Sequence, residues 1–468
     1  MNNKPPNILI LMTDQQRQDC LGCAGHSVLK TPNLDRIAAT GTRFTEATTV
    51  SPVCMPARAS FVNSLYPHNH GMWWNSGEMP PDDPTMFHLL KEAGYFNAHI
   101  GKAHYYVHEG VTDHLKNREP YMRARGFDYI HETTGPFATL VTRSYMTDEW
   151  ERKGERLYRA FKDDYASRQV ITARPSPLSV EDYSDSYVGR KAVEFIESYD
   201  KNQPVCLFVG FGGPHDPWDA PGEYAAMYEP SSIPPPIPPS EHFKSLPKHV
   251  QTRPDLTPNE SLTPEIIRAI RANYYGNISL IDDWIGKILQ AAARKGWDDN
   301  LMVVFWSDHG ELLGDHGRTM KCTFHESSVR VPLVLSWPGV IPHNVTSDAL
   351  AEIIDVFPTV ADLLGLDIPT RCLGKSLTPL FANPDCPLRD FQLSEIAVAV
   401  WNGVRNTMIG NRKYKYADDE QGTGYMLFNL EADPDEQRNL IADPEARDLE
   451  NILREELLKR LLEAQYTM

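Results

Sequence analysis

The chain has 468 residues, of which 41% are hydrophobic and 23% are charged, a composition typical of a globular enzyme and unlike that of a disordered protein. Its formal net charge of −17, with no basic tract, argues against binding to nucleic acid. Apolar runs never approach the roughly 18 residues that a membrane-spanning helix needs, so no contact with a membrane is expected.

The amino terminus and the cysteines indicate the compartment. The apolar run at residues 8–12 is too short for a signal peptide, so the chain as given is expected to be cytoplasmic. The seven scattered cysteines suit a reducing compartment better than a disulfide framework. Cys20 and Cys23 form a lone CxxC with no second pair, which disfavours a zinc site.

Buried strands and amphipathic helices alternate along most of the chain. In chain order the pattern predicts a strand over 7–13, a helix over 31–41, a helix over 84–94 with a strand ending near Gly101, a strand over 205–210, a helix over 266–295, strands over 301–306 and 332–335, and a helix over 353–364. This alternation predicts an α/β fold, in which helices cover both faces of the sheet.

Polar residues follow the carboxyl ends of the predicted strands. They are Asp14, Lys102, His215 and Asp308. Open α/β sheets place their functional sites at that edge, so we expect these four side chains to converge.

Two stretches, 107–185 and 229–264, lack a core pattern, and the second is rich in proline. Such insertions are commonly binding loops or lids, although solvated excursions fit equally well.

After about Cys386 the pattern changes to short strands over 392–404, 406–409, 413–417 and 425–430 and a charged helix over 445–465. The sequence therefore predicts a catalytic domain over 1–385 and a smaller α+β subdomain over 386–468.

The segment around Cys54 is a candidate nucleophile site. Pro56 suits the first turn of a helix, which places Cys54 at a helix N-terminus, where backbone N–H groups favour an anion. Arg58 lies one turn further on, on the same face. A free cysteine is also commonly a small buried hydrophobe, so both interpretations stay open on this segment alone.

Cys54-Met55-Pro56-Ala57-Arg58 resembles the signature of the sulfatase family, in which the cysteine is oxidised to formylglycine. Further motifs follow the order of that family over nearly the whole chain: Asp14-Gln15, Gly101-Lys102-Ala103-His104, Pro214-His215-Asp216-Pro217, Asp308-His309-Gly310-Glu311, the segment around Lys321, and residues 430–440. The signature departs from the family at Asn63-Ser64, where a Thr-Gly pair is usual. The resemblance implies an alkaline-phosphatase-like mixed sheet and the hydrolysis of sulfuric esters.

The resemblance also implies a metal site. Asp14, Gln15, Asp308 and His309 would hold one divalent metal together with the modified Cys54. Ca²⁺ is the usual ion of the family, and the histidine ligand makes Mn²⁺ an alternative.

The other matching residues acquire catalytic roles from the same resemblance. Arg58 would steady the nucleophile, and Lys102 and Lys321 would bind the sulfate oxygens. His215 would protonate the leaving oxygen, and His104 would take a proton from the second hydroxyl of the hydrated formylglycine, so that sulfate is expelled and the aldehyde returns. Asn75 is a candidate substrate ligand, whereas His68, His70, His316 and His325 are interpreted as structural or rim residues.

The expected partners are an anionic sulfate ester and a formylglycine-generating maturation enzyme, and a homo-oligomer stays open. A phosphonate monoester or phosphodiester hydrolase with the same site is an alternative, since Gln15 and His309 resemble that branch too. Against it, such relatives usually carry hydroxyl-bearing residues where this chain has Lys102 and His104. A non-catalytic binding protein would predict losses among the motif residues, and an ordinary thiol nucleophile at Cys54 would leave the metal ligands unexplained.

Overall fold

The computed structural model describes residues 4–108, 114–168, 173–244, 246–247, 262–397, 403–441 and 443–465. Parts of the two predicted insertions, residues 398–402 of the predicted strand over 392–404, and the ends of the chain lie outside the described residues. The strands are β1 (Asn7–Thr13), β2 (Thr42–Phe44), β3 (Phe96–Lys102), β4 (Tyr129–Thr133), β5 (Val205–Gly210), β6 (Leu301–Ser307), β7 (Leu333–Ser336), β8 (Val345–Ser347), β9 (Gln392–Ala397), β10 (Arg405–Gly410), β11 (Tyr414–Asp419) and β12 (Gly424–Asn429).

The helices connect and cover these strands. They are α1 (Pro32–Ala39), α2 (Cys54–Asn63), α3 (Pro67–His70), α4 (Met86–Glu92), α5 (Glu119–Ala124), α6 (Tyr145–Lys153), α7 (Glu155–Ser167), α8 (Ser184–Ser198), α9 (Pro264–Arg294), α10 (Glu326–Val329), α11 (Val356–Leu363), α12 (Thr378–Ala382) and α13 (Arg447–Glu463). In the described part of the chain, none of them combines the length and the apolar character that crossing a bilayer would take.

Strands β1 to β8 form one eight-stranded sheet in the order β4-β3-β5-β1-β6-β7-β2-β8. The first five strands in this order run parallel, and β7 runs antiparallel to both of its neighbours. The sheet is therefore mixed, and the predicted α/β fold class is confirmed.

Alternate side chains of β1 enter different hydrophobic cores, because successive residues of a strand point to opposite faces. Ile10 packs in one core with Phe61 of α2, and Leu11 packs in the other with Ile196 of α8 and Ile285 of α9. Helices thus cover both faces of the central strands, which explains why these strands are apolar throughout rather than alternating.

Strands β9 to β12 form a separate antiparallel sheet in the order β12-β11-β10-β9. The terminal helix α13 packs against β10 and β11. The Glu395 N–H of β9 donates to the Val50 carbonyl at 2.9 Å, which ties this sheet to the loop that precedes α2. The architecture is the small α+β unit that the sequence predicts, while the boundary at 385/386 stays a prediction.

Candidate active site

The sheet order brings the four predicted polar residues together. β3, β5, β1 and β6 are consecutive neighbours, and Lys102, His215, Asp14 and Asp308 lie at or just beyond their carboxyl ends. Gly101 permits the close approach of β3 to β5, because a Cβ at this position would lie 2.0 Å from the Gly210 carbonyl oxygen. One edge of the sheet therefore presents all four side chains to the same space.

Helix α2 begins at Cys54, as the sequence predicts, and its first turn faces this edge. Cys54 and Arg58 are both about 1% exposed. The Met55 N–H donates to the Asn75 side-chain oxygen at 3.0 Å, so Asn75 caps the start of the helix. Asn75 also lines the adjoining cleft, and its role as a substrate ligand stays a prediction.

A buried group of possible metal ligands surrounds the start of α2. One ligand atom from each of Asp14, Cys54, Asp308 and His309 lies within 4.8 Å of the others. His309 Nε2 is 3.1 Å from Cys54 Sγ, and His309 Nδ1 donates to the Gly310 carbonyl at 3.0 Å. This backbone contact leaves the Nε2 lone pair directed towards the group, an arrangement typical of metal-binding histidines.

Arg58 binds one oxygen of each of the two carboxylates, Asp14 and Asp308. It donates to Asp14 Oδ2 and to Asp308 Oδ2, each at 2.8 Å, and to the Lys102 carbonyl at 3.0 Å. Burial alone would raise the pKa of Asp14, but Lys102 and Arg58 hold it well below the ordinary value. Two charged carboxylates thus present their Oδ1 atoms to Cys54 and His309, and this donor set fits a hard divalent cation with one nitrogen ligand.

Gln15 lies beside this group, but its side chain points elsewhere. Its backbone N–H donates to Asp308 Oδ1 at 3.0 Å. Its side-chain oxygen accepts from Lys321, and its amide nitrogen contacts Glu311 and, at 3.3 Å, Asp216. The predicted role of Gln15 as a metal ligand therefore stays a prediction, and the contact with Lys321 is the observed one.

Lys102, Lys321 and His215 line the cleft beside Cys54. Lys102 contacts Asp14, while Lys321 Nζ lies 2.7 Å from His215 Nε2. Burial alone would raise the pKa of the Cys54 thiol, but Lys321, His309 and Lys102 outweigh it and hold that pKa well below its ordinary value. The surroundings of position 54 therefore favour negative charge in a protein whose net charge is strongly negative.

The two histidines with predicted proton-transfer roles differ in their surroundings. Burial and Lys102 hold the pKa of His104 well below its ordinary value, so its ring is neutral. Burial alone would lower the pKa of His215, but Asp216 and Asp14 raise it above the ordinary value. His215 Nδ1 donates to the Asp216 carbonyl at 2.6 Å, which fixes the ring orientation.

A cleft of about 220 Å³ opens in front of Cys54. The predicted site residues in its lining are Cys54, Asn75, Lys102, His104, His215 and Lys321. The sequence analysis missed the other lining residues, which are His108, Gly135, Pro136, Phe137, Ala138, Asp216 and Met320. Asp216 and Glu311 stand inside quoted motifs, so their positions could have signalled them.

Asp185 is another missed residue, because it lies in a stretch without any motif. Its Oδ1 accepts from the backbone N–H groups of Gly212 and Gly213, at 2.8 and 3.1 Å, just before His215. A Cβ at Gly213 would lie 2.0 Å from the Asn277 side-chain oxygen, so only glycine fits there. Asp185 and Asn277 thus hold the loop that presents His215.

Comparisons with known proteins agree with this geometry. The sulfatase family model matches residues 6–366, and the model of the C-terminal region of N-sulphoglucosamine sulphohydrolase matches residues 314–463. The chain is 30% identical to an ulvan-active sulfatase of Formosa agariphila, covering 98% of this chain and 81% of that protein. It is also 30% identical to a choline-sulfatase of Rhizobium meliloti, covering 95% of this chain and 84% of that protein.

A solved structure with a similar fold is the phosphonate monoester hydrolase of Agrobacterium radiobacter. It has a TM-score of 0.82 at 23% identity and covers 98% of this chain and 96% of that chain. This likeness confirms the predicted alkaline-phosphatase-like fold.

Proposed function

Because this chain belongs to the sulfatase family and is a sulfuric ester hydrolase, we propose that it uses a formylglycine made from Cys54 and one divalent metal. The substrate is an organic sulfate ester, with sulfated carbohydrates as one candidate class. The observation that supports this proposal is the convergence of Cys54 with Asp14, Asp308 and His309 within 4.8 Å.

In this proposal Asp14, Asp308, His309 and position 54 hold the metal, with Gln15 as a further ligand once its side chain turns from Lys321. The bound ion supplies positive charge that polarises the nucleophile and neutralises a sulfate oxygen. Ca²⁺ suits the carboxylates, and Mn²⁺ suits the imidazole nitrogen of His309. Arg58 orients both carboxylates, because it occupies one oxygen of each at 2.8 Å.

Lys102 and Lys321 bind the sulfate oxygens. Both ammonium groups are buried at the cleft and both already contact anionic or polar atoms there, Asp14 in one case and Gln15 in the other. An ester that enters the cleft exchanges these contacts for its own oxygens. Charge that develops on the sulfuryl group then meets preorganised cations in a site that excludes bulk water.

His104 and His215 move protons on opposite sides of the ester. The neutral ring of His104, whose depressed pKa leaves it unprotonated, accepts a proton from the second hydroxyl of the hydrated formylglycine after the ester bond is cleaved, so that its C–O bond to sulfate breaks, sulfate leaves and the aldehyde returns. His215, whose pKa is raised above the ordinary value, donates a proton from Nε2 to the departing oxygen once the ester has drawn Lys321 away from that nitrogen. The alcohol then leaves uncharged, which lowers the barrier for leaving groups of high pKa.

The mass of the peptide that contains Cys54 tests this proposal. Conversion of the thiol to an aldehyde removes about 18 Da from that peptide. Sulfatase activity should disappear in Cys54→Ala and should resist iodoacetamide in the mature protein, since an aldehyde has no thiol to alkylate. Full turnover by Cys54→Ala, or inactivation of the mature protein by iodoacetamide, would contradict the proposal.

A further inference from the structure

Of the three histidines that line the cleft, His108 has no role in the chemistry described above. His108 is buried, lines the same cleft as Cys54, and donates from Nε2 to Glu132 Oε1 at 3.2 Å. The other oxygen of Glu132 accepts from Tyr106 Oη at 2.6 Å, and the His108 carbonyl accepts from Thr142 Oγ1. The ring is therefore held at Nε2 by Glu132, which Tyr106 holds in turn, while Thr142 fixes the backbone of His108.

These contacts determine which nitrogen of His108 remains available to a ligand. Nε2 is engaged by the Glu132 carboxylate, so Nδ1 is the remaining polar atom of the ring. This Nδ1 atom is buried and has no hydrogen-bond partner among the described residues. A buried polar atom without a partner is costly, and this nitrogen is therefore available to a ligand bound in the cleft.

The neighbouring ring has the same property. His104 also has a buried Nδ1 without a partner in the described part of the chain, and the centroids of the His104 and His108 rings are 4.9 Å apart. His104 in turn hydrogen-bonds to Cys54. The two Nδ1 atoms thus belong to the His104 ring, which contacts Cys54, and to the His108 ring, which is next to it.

Another part of the cleft wall is mostly apolar. It is formed by the segment 135–138 after β4, with Pro136 and the 38% exposed ring of Phe137, and by Met320. This wall lies close to the cation that binds sulfate, since a Cβ at Gly135 would be 3.1 Å from Lys102 Nζ. A cleft of about 220 Å³ with this lining fits one uncharged ring attached to the sulfate group.

We propose that His108, held by Glu132, is a substrate-binding residue that accepts a hydrogen bond from a hydroxyl group beside the sulfate ester. The inference rests on the proposed function, because that function places the ester next to Cys54. The substrate class is an uncharged ring, sugar or aromatic, with a hydroxyl on the carbon adjacent to the esterified one. Phe137 is the surface against which this ring packs.

Binding to the Cys54→Ala chain tests the inference without turnover. The probes are 2-hydroxyphenyl sulfate, which has the adjacent hydroxyl, and phenyl sulfate, which lacks it, with dissociation constants measured by calorimetry at fixed Ca²⁺. One additional hydrogen bond to a buried acceptor predicts about tenfold tighter binding of the hydroxyl-bearing ester. D-galactose 4-sulfate forms a second arm, which reports whether a sugar ring can supply the same hydroxyl.

Three variants in this background distinguish a binding role from a structural one. His108→Gln keeps a polar contact with Glu132 but removes the acceptor at Nδ1, so the tenfold preference should disappear. His108→Asn places its side-chain oxygen near the former Nδ1 and should restore part of the preference. Tyr106→Phe removes the other hydrogen bond to Glu132 without altering the cleft, so it should keep the preference and serves as the matched control.

Equal affinity for the two aryl esters in the starting chain would overturn the inference, since water alone would then satisfy the ring nitrogens. An unchanged preference in His108→Gln would also overturn it. Absence of binding for all three esters is a different result, because it would contradict the proposed sulfate site itself and the inference with it.

Discussion

The Nε2 atom of His309 lies 3.1 Å from the Sγ atom of Cys54, although 255 residues separate them in the chain. The contact exists because β6 delivers His309 and the start of α2 delivers Cys54 to the same edge of the sheet. It joins two members of the proposed metal site that come from distant parts of the chain, so the first prediction concerns this pair.

Removing the His309 imidazole should empty the metal site. His309→Ala deletes the nitrogen ligand and should weaken metal binding by at least about 100-fold, with loss of sulfatase activity. Metal content after dialysis, measured by mass spectrometry, gives a readout that does not depend on turnover. His343→Ala, on the surface, is the matched control and should retain the metal. Full metal content in His309→Ala would contradict the proposed ligand set.

Chelation should have the same consequence in the unsubstituted protein. Incubation with EDTA should abolish turnover, and adding back Ca²⁺ or Mn²⁺ should restore it, with the more effective ion identifying the native metal. Activity that survives exhaustive chelation would argue against any catalytic metal at Asp14 and Asp308.

Arg58 is expected to matter for stability as well as for activity. Arg58→Met removes a buried cation that pairs with both Asp14 and Asp308, which leaves Asp308 without its arginine partner and Asp14 with Lys102 alone, and should lower the free energy of unfolding by about 3 to 5 kcal/mol in the metal-free protein. Bound metal should recover part of this loss. Arg36→Met, on the exposed side of α1, should change stability by less than about 0.5 kcal/mol in the same urea titrations.

Asp185 should act on catalysis through the loop that holds His215. Asp185→Ala leaves the N–H groups of Gly212 and Gly213 without their acceptor, at a cost of about 1 to 3 kcal/mol, and lets the loop move. We expect kcat to fall while metal content stays constant, because the metal ligands are on other segments. Asp185→Asn keeps one acceptor oxygen and should retain most of kcat; equal losses in both variants would indicate a different role.

Asp219 should make stability depend on pH. This carboxyl accepts from Tyr165 Oη and Tyr183 Oη at 2.7 and 2.8 Å, and burial raises its pKa to about 7. The folded state therefore binds the proton more tightly than the unfolded state, whose pKa is about 4. Its contribution is fully present below pH 4 and is lost as pH rises to 7, by up to about 4 kcal/mol. Asp219→Asn should flatten this dependence in unfolding titrations.

The bond that is cleaved distinguishes the two candidate activities. If Lys102, Lys321 and His104 serve a sulfate ester, kcat/KM for 4-nitrophenyl sulfate should exceed that for 4-nitrophenyl phenylphosphonate by about tenfold or more. Both substrates are monoanions with the same leaving group, so the comparison isolates the transferred group. A preference for the phosphonate would favour the phosphonate monoester hydrolase alternative.

The sequence determined those features that depend on local pattern. The apolar runs of β1, β3, β5 and β6 predicted the strands, and the residues after them predicted the positions of Asp14, Lys102, His215 and Asp308 at one edge. Pro56 predicted the helix start at Cys54, because its ring suits only the first turn. The order of the motifs supported the family resemblance over nearly the whole chain.

Only the tertiary structure decided which side chains touch. Arg58 bridges two carboxylates, Asn75 caps α2, Gln15 faces Lys321, and Asp185 holds a loop 27 residues away. His108 joins the cleft from an insertion without a core pattern. Such contacts arise between segments that are distant in the chain, where no periodicity records the partner, so they follow from the order of strands in the sheet rather than from any local property of the sequence.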